Sequence, residues 1–389
     1  MRQTDIAIIG GGLAGSTAAA MLGRAGISTI LIDPHKIYPF DFRCEKLGGY
    51  QLEVLHKTGL SEPVLRATTL DNSVWVARLG RLLDKHRPSD QNGIFYDALV
   101  NTIRGEIPSR VDVIEAKVTA VTTSPDRQAL TLSNGEEISA RLIVLANGLN
   151  IGLRHSLGIE REVTSPCHSI TIGFNLAPVG RDRFDFPALT YFTENSAAQM
   201  AYLTLFPIGS AMRANLMVYR TMDDPWLRRM RHTPEQALHE IMPQLRALTG
   251  ECKVESDVKI RPADLYVTKG HLQAGIVLVG DAFATSCPAA GTGTSKVFTD
   301  VERLCNLHIP AWLASDGMGV LKISQFYADP DKRACDAAST REAYDLRSIS
   351  IDTGLPWHIR RWVRFGVRLG FGALHHLREA LAIGRVARQ

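Results

Sequence analysis

The chain has 389 residues, 45% of them hydrophobic and 22% charged, with a formal net charge of +4. That length suits two interleaved domains plus an appendage, and the composition supplies a sizeable core, which excludes a disordered chain. No run of about 18 uncharged apolar residues argues for a membrane span. No nucleic-acid motif accompanies the positive balance, so no nucleic-acid partner is expected.

In chain order, the first predicted element is a buried strand, Asp5 to Ile9, four apolar residues bounded by Gly10. Ser16 to Arg24 has helix composition. Between them Gly10, Gly12 and Gly15 have the spacing that lets a backbone turn tightly beside a pyrophosphate, with the helix N-terminus facing the phosphates. A second strand, Thr29 to Ile32, ends at Asp33, close to the spacing at which an acid binds a ribose hydroxyl. Glycines alone would be weak evidence. Strand, turn, helix, strand and terminal acid in this order point to a dinucleotide site, and Asp33 in place of an arginine favours FAD or NAD over NADP.

A loop from His35 to Phe42 leads to Arg43-Cys44-Glu45-Lys46 and a helix from Gln51 to Thr58, stopped by Gly59. Ser73 to Leu79 has strand character, Ile94 to Ile107 reads as a helix, and Val111 to Thr123 as one or two strands. An Asn134-Gly135 turn marks a hairpin, and Arg141 to Ala146 forms another buried strand. From Thr164 to Arg261 strands dominate: Ser169 to Leu176, Leu189 to Thr193, Met200 to Phe206 and Arg213 to Tyr219, with one helical insert from Pro234 to Leu248. They read as a mostly antiparallel sheet with an exposed face that binds substrate. Nucleotide-domain character returns at Gly275 to Asp281, followed by a helix from Thr292 to Asn306 and further helices.

Six cysteines show neither metal-type spacing nor disulfide density, so no metal site and reduced thiols in a cytoplasmic setting are expected. Cys44 and Cys287 read as packing thiols.

Three separated segments together resemble the FAD-dependent monooxygenases of the single-component aromatic hydroxylase type. The wider superfamily includes flavin halogenases and geranylgeranyl reductases. Gly10, Gly12, Gly15 and Asp33 match the ADP-binding motif. Gly280-Asp281 followed by Pro288-Ala289-Ala290-Gly291-Thr292-Gly293 matches the second FAD motif. The resemblance implies that Asp281 binds the ribityl hydroxyls and that Pro288 to Thr294 lies under the isoalloxazine, where a helix N-terminus stabilises negative charge on reduced flavin. It also implies that Arg43 serves the flavin phosphates, and it adds Leu13, Ala14 and Val118 to the cofactor contacts. The middle motif departs from the family. Ala146-Asn147-Gly148 stands where members carry Ala-Asp-Gly, and Ile151 replaces a serine, while Arg154 and Leu157-Gly158-Ile159 keep the frame. That segment handles both FAD and NAD(P)H in the family, so the change bears on the electron donor. The halogenase Trp-x-Trp-x-Ile-Pro and reductase aromatic-Trp-x-Phe-Pro signatures are absent.

The fold implied is α/β: a Rossmann-like FAD-binding domain (1–73, 94–163, 262–310), an inserted mostly antiparallel substrate sheet (74–93, 164–261) and a helical C-terminus (311–389). The function implied is hydroxylation of an aromatic or other apolar organic substrate by molecular oxygen through a flavin hydroperoxide, with NAD(P)H or a partner reductase as electron source. The alternatives are reduction of a prenyl or lipid substrate, halogenation, and a non-catalytic FAD-binding protein. Such chemistry needs few acid–base groups from the protein. Lys46, His168, Tyr191, Tyr202 and Arg213 are candidates to face the substrate, each with a structural role as the alternative. From Trp357 to Gln389 seven arginines accompany one glutamate. Arg360, Arg364 and Arg368 recur every fourth residue, and Trp362, Phe365 and Leu369 fall on another face. This is the pattern of a helix lying on an anionic bilayer, or of one packed on its own domain or a second subunit.

Overall fold

The computed structural model describes residues 1–43, 45–86, 90–363 and 365–367. The chain divides into two compact units. The first gathers Met1–Thr68, Ile94–Pro166 and Asp264–Arg341; the second gathers Thr69–Gly93, Cys167–Ala263 and the residues from Glu342 on.

The first unit is built on a seven-stranded sheet. Asp112–Glu115, Thr29–Asp33, Arg2–Ile9 and Glu137–Leu145 run parallel in that order. The long strand Glu137–Leu145 then changes partner along its length. Its start pairs antiparallel with Gln128–Leu132 across the Asn134-Gly135 hairpin, and its end pairs parallel with Ile276–Leu278. Both sheet faces are covered, which is why the first strand reads as an unbroken apolar run. Ile6 and Ile8 pack with Ala18, Ala19 and Leu22 of the helix Leu13–Arg24. Ala7 and Ile9 pack with Ile30, Leu130 and Ile143 on the other face.

Residues 311–341, expected as a separate C-terminal appendage, belong to this unit. Trp312, Met318, Ile323 and Phe326 are buried in the same cluster as Ile6 and Val144. The helix Gly293–Arg303 continues through a π turn, Leu304–His308, rather than running as one α-helix to Asn306.

The second unit carries a sheet ordered Cys252–Val254, Glu160–Pro178, Ala211–Val218, Met200–Ile208, Ala188–Phe192, Val74–Arg78 and Arg81–His86. Its pairings are antiparallel except that of Ala188–Phe192 with Val74–Arg78. One face, with Ile172, Phe174, Tyr191, Leu205 and Leu216, packs on a helical insert through Trp226, Met230, Leu238 and Ile241. The insert begins earlier than expected, with a helix Pro225–His232 before Pro234–Ile241. Its start signal is local: the Asp224 side chain accepts from Trp226 N at 2.7 Å, and Pro225 opens the first turn.

The sheet was expected to keep one face exposed, and the opposite face is the polar one. It is buried instead, with Thr171, Thr204, Arg213 and Asn215 each below a tenth exposed. The polar groups there are hydrogen-bonded, so burial is tolerated. Arg213 donates to Asn175 Oδ1 at 3.2 Å, and Thr204 Oγ1 to Asn215 O at 3.4 Å.

Candidate cofactor site

The glycine turn after the first strand explains its own composition. Gly10 sits at φ 100°, and a Cβ there would come within 2.7 Å of Ala146 O. A Cβ on Gly15 would lie 1.8 Å from Gly10 O, so the helix can approach the strand only without a side chain. Gly12 differs: the nearest atom to its Cβ would be Tyr38 Cε2, at 3.8 Å. The space beside Gly12 fits a ligand backbone, and the helix Leu13–Arg24 starts there without a side-chain cap. Its first-turn N–H groups, those of Leu13 and Ala14 included, have no intrahelical acceptor and suit a pyrophosphate.

Asp33 closes the second strand beside this turn. Its Oδ2 accepts from Gly11 N at 2.6 Å and its Oδ1 from His35 N at 2.9 Å. Arg104 adds a contact at 3.1 Å to Asp33 Oδ1 and donates to Gly11 O at 2.9 and 2.6 Å. An arginine therefore does stand near Asp33, but it is engaged by the carboxylate and by main-chain carbonyls. Arg104 lies on the helix Tyr96–Gly105, and no local signal in the sequence singles it out.

The second motif is held from several sides. Gly280, at φ 58°, donates its N–H to Asp300 Oδ2 at 2.8 Å. The Asp281 carboxylate accepts from Arg43 Nη1 at 2.7 Å, and the Asp281 carbonyl accepts from Tyr266 OH. Arg43 also donates to Asp41 at 2.5 Å and lies 5.6 Å from the Tyr96 ring centre. Burial alone would pull the Arg43 guanidinium down, but Tyr96, Asp281 and Asp41 together hold it above its ordinary value. Pro288–Ala290 forms a 3₁₀ turn, Gly291 has φ 71°, and the helix Gly293–Arg303 starts after Thr292 without a side-chain cap. Thr294 is buried in its first turn. Gln51 Nε2 donates to Gly291 O at 2.6 Å, tying a helix of the N-terminal segment to this loop.

The middle motif joins the other two. A Cβ on Gly10 would come within 2.9 Å of Asn147 Cα, and one on Gly280 within 3.6 Å of Ala14 Cβ. Arg154, 1% exposed, donates to Ala282 O at 2.7 Å, Asn150 O at 3.1 Å and Gly148 O at 3.2 Å. Three segments far apart in sequence thus meet around Gly12, Asp281 and the start of the helix Gly293–Arg303. Phosphate-facing helix ends, two carboxylates and a guanidinium in one place fit FAD. Val118 lies apart from these segments by sequence, half-buried on the outer strand Val118–Thr122 and paired with Leu132. Cys287 is fully buried; Cys44 lies outside the described residues.

The candidate substrate-facing residues separate. Lys46 is half-buried on a two-residue strand of the first unit. In the second unit Tyr191 lies in the packed face, its OH donating to Glu194 at 2.6 Å and accepting from Gly80 N at 3.0 Å. His168 is fully buried between the Tyr219 and Tyr344 rings, 3.3 Å from Ala343 O, and burial lowers its pKa. Tyr202 and Arg213 share the polar face. Tyr202 reaches it because a bulge between Met200 and Tyr202 shifts the register, so that Met200 and Leu203 both pack on the insert side. Simple alternation from Met200 would have turned Tyr202 the other way.

In the C-terminal segment, Arg361 is buried and donates to Ile349 O at 3.1 Å and Asp352 O at 2.6 Å, satisfying carbonyls at a helix end. Leu355, Ile359, Trp362, Val363 and Val367 are exposed, with Arg360 beside them. Phe365 is half-buried, with Arg78 at 5.2 Å over its ring. Arg364, Arg368 and Leu369 lie outside the described residues. Among the described residues no helix is long and apolar enough to cross a membrane.

Comparisons with known proteins agree with this geometry. Residues 3–307 match the family model described as an FAD binding domain. Ubiquinone hydroxylase UbiL of Rhodospirillum rubrum is 28% identical over 173 residues, 41% of this chain and 40% of that protein. 3-Demethoxyubiquinol 3-hydroxylase of Escherichia coli is 22% identical over 345 residues, 80% of this chain and 81% of that protein. The chain therefore spans less than half of the first relative and most of the second. The crystal structure of p-nitrophenol 4-monooxygenase PnpA from Pseudomonas putida superposes with a TM-score of 0.76 at 14% identity, over 99% of this chain and 98% of that one, which speaks to the fold. The chain belongs to the FAD-binding-domain family.

Proposed function

We propose that the protein is an FAD-dependent monooxygenase that hydroxylates an aromatic or other apolar organic substrate with molecular oxygen. The observation that carries this reading is the assembled cofactor site, together with alignment to 3-demethoxyubiquinol 3-hydroxylase over 80% of the chain. Bound FAD supplies the oxygen chemistry, placing one oxygen atom on the substrate and releasing the other as water. The chain's own residues do the rest. The glycine turn and the helix starting at Leu13 hold the pyrophosphate, Asp33 the adenosine ribose, and Asp281 with Arg43 the ribityl and phosphate portion. The start of the helix Gly293–Arg303 offers N–H dipoles to the charge that reduced flavin carries. The polar sheet face bearing Tyr202 and Arg213 is the source of substrate contacts.

Turnover with oxygen-18-labelled dioxygen and aromatic or prenylated ring substrates tests the reading. One labelled atom in the product is expected; a reduced, unlabelled product would replace the hydroxylase by a reductase. The electron donor is NAD(P)H directly or through a partner reductase. Asn147 supports the partner route, because it puts a neutral amide, bonded to Asn150 O at 3.3 Å, where family members hold an acid. Under that route anaerobic mixing with NADH or NADPH leaves the flavin oxidised; rapid bleaching, accelerated by ligand, would assign reduction to the chain itself.

The C-terminal segment contacts a membrane peripherally in this reading. Its exposed apolar residues stand beside the exposed Arg360 in the manner of an interfacial helix. Co-sedimentation with vesicles containing phosphatidylglycerol is expected for the full chain and lost on deleting 357–389; no sedimentation of the full chain would end this proposal.

A further inference from the structure

Two helices of the first unit are joined by polar side chains where an apolar seam would be expected. On the cofactor helix and its cap, Thr292, Lys296 and Asp300 recur every fourth residue and share one face. On the long helix Pro330–Ile351, Lys332, Asp336 and Ser339 follow at steps of four and three residues and likewise share one face. They meet in antiparallel order: Thr292 Oγ1 lies 2.6 Å from Ser339 Oγ, Lys296 Nζ 2.6 Å from Asp336, and Lys332 Nζ 2.7 Å from Asp300. Lys332 also reaches Asp336 at 3.2 Å, so two cations and two anions form one closed set. The Lys332 and Asp300 side chains are 1% and 2% exposed.

Buried ion pairs stabilise weakly, because the cost of desolvating both charges offsets their attraction, and leucines could close such a seam. What leucines could not do is accept a hydrogen bond. Asp300 uses one oxygen for Lys332 and the other for the Gly280 N–H, at 2.7 and 2.8 Å. Lys332 also lies 4.4 Å from the ring centre of Phe283, at the far end of the Gly280–Ala282 turn. The turn that presents Asp281 is thus gripped at both ends through one lysine on the long helix.

We propose that Lys332, acting through Asp300 and supported by Asp336 and Lys296, is a positioning residue that fixes the Gly280-Asp281 turn and thereby the affinity and environment of FAD. The proposal rests on the cofactor site described above and adds to it residues that do not touch the cofactor. Lys332 and Asp336 are both held in their charged forms in the folded protein. Burial would lower Lys332 and raise Asp336, yet Asp300 and Asp336 hold the lysine up, and Lys296 with Lys332 holds the aspartate down.

The test uses the full chain, stripped of FAD and titrated with it, in the variants Lys332→Met, Lys296→Asp, Asp336→Lys and the double exchange Lys296→Asp with Asp336→Lys. Flavin fluorescence quenching reads affinity, visible circular dichroism reads the flavin's surroundings, and the thermal midpoint of the apoprotein reads stability separately. Lys332→Met is expected to weaken FAD binding by about tenfold or more and to change the flavin dichroism. Each single charge reversal should weaken FAD binding, and the double exchange, which restores the 296–336 pair but sets a lysine at 336 beside Lys332, should recover it in part. Unchanged FAD affinity and dichroism with a lowered apoprotein midpoint would reduce the ladder to a helix–helix fastening and overturn the proposal. Should Lys332→Met not fold, the reversals decide alone: wild-type affinity in both singles overturns it. Failure of the unmodified chain to bind FAD at all would instead remove the cofactor site on which the proposal rests.

Discussion

Exchanging Gly15 for alanine will yield a colourless protein. The added methyl group would sit 1.8 Å from Gly10 O, a main-chain atom that no rotamer change can move aside. Relief requires the helix Leu13–Arg24 to back away from the strand, and Gly10, at φ 100° and itself pressed against Ala146 O, cannot follow. Overpacking of this kind costs about 1–3 kcal/mol or more. The displaced helix start also loses its aim on the pyrophosphate, so FAD affinity should fall by about 100-fold or more, or about 2.7 kcal/mol. Gly12→Ala is the control. At φ −73°, with 3.8 Å to the nearest protein atom, its methyl group disturbs no part of the chain. Apo-protein thermal midpoints and flavin titrations on both variants separate the two causes. Gly15→Ala should lose stability and FAD, and Gly12→Ala only FAD. Retention of FAD by Gly15→Ala would contradict the packing described here.

The second large effect is expected at Arg154. Its guanidinium satisfies three carbonyls, those of Ala282, Asn150 and Gly148, from a position 1% exposed. Arg154→Leu removes all of these donors and leaves the buried Ala282 carbonyl without a partner, at about 1–3 kcal/mol, whereas water can take over the carbonyls of half-buried Gly148 and exposed Asn150. A loss of about 1–3 kcal/mol follows, or a fall of about 2–12 °C in the thermal midpoint for a unit of this size. The Ala282 bond abuts Asp281, so FAD affinity should fall alongside. Arg154→Lys, which keeps the charge but not the fork of donors, should recover only part of either. A drop of less than about 1 kcal/mol in Arg154→Leu would mean that water replaces the arginine.

What the sequence disclosed was governed by distance along the chain. The first strand, its glycine turn and Asp33 were legible because the turn's steric needs are met by neighbouring residues. The second motif was legible because Gly280 and the loop after Pro288 repeat a pattern within about a dozen residues. The brace behind each was not. Arg104 reaches Gly11 and Asp33 from a distant helix, Asp300 reaches Gly280 from a second, and Lys332 holds Asp300 from a third. Nothing local distinguishes those charges from solvated ones. The mostly antiparallel sheet was legible, and the burial of its second face was missed for another reason. A polar strand face reads as a wet one, yet Arg213 pairs with half-buried Asn175 and is itself buried. A one-residue bulge reverses the side to which Tyr202 points, and a bulge has no signature in apolar alternation. The helix at Pro225 is the opposite case, since Asp224-Pro225 marked its start and its basic composition hid it.

The sheet of the first unit also sets a timetable for synthesis. Ile143–Leu145 must wait for Ile276–Leu278, which the ribosome delivers about 130 residues later. At about 5–20 residues per second that is roughly 7–26 s during which a finished strand keeps an unpaired, wholly apolar border. Most of the second unit is made in that interval. The nascent first unit is therefore most exposed to mispairing with other chains while its insert is being translated, and chaperone demand should peak there rather than at chain release.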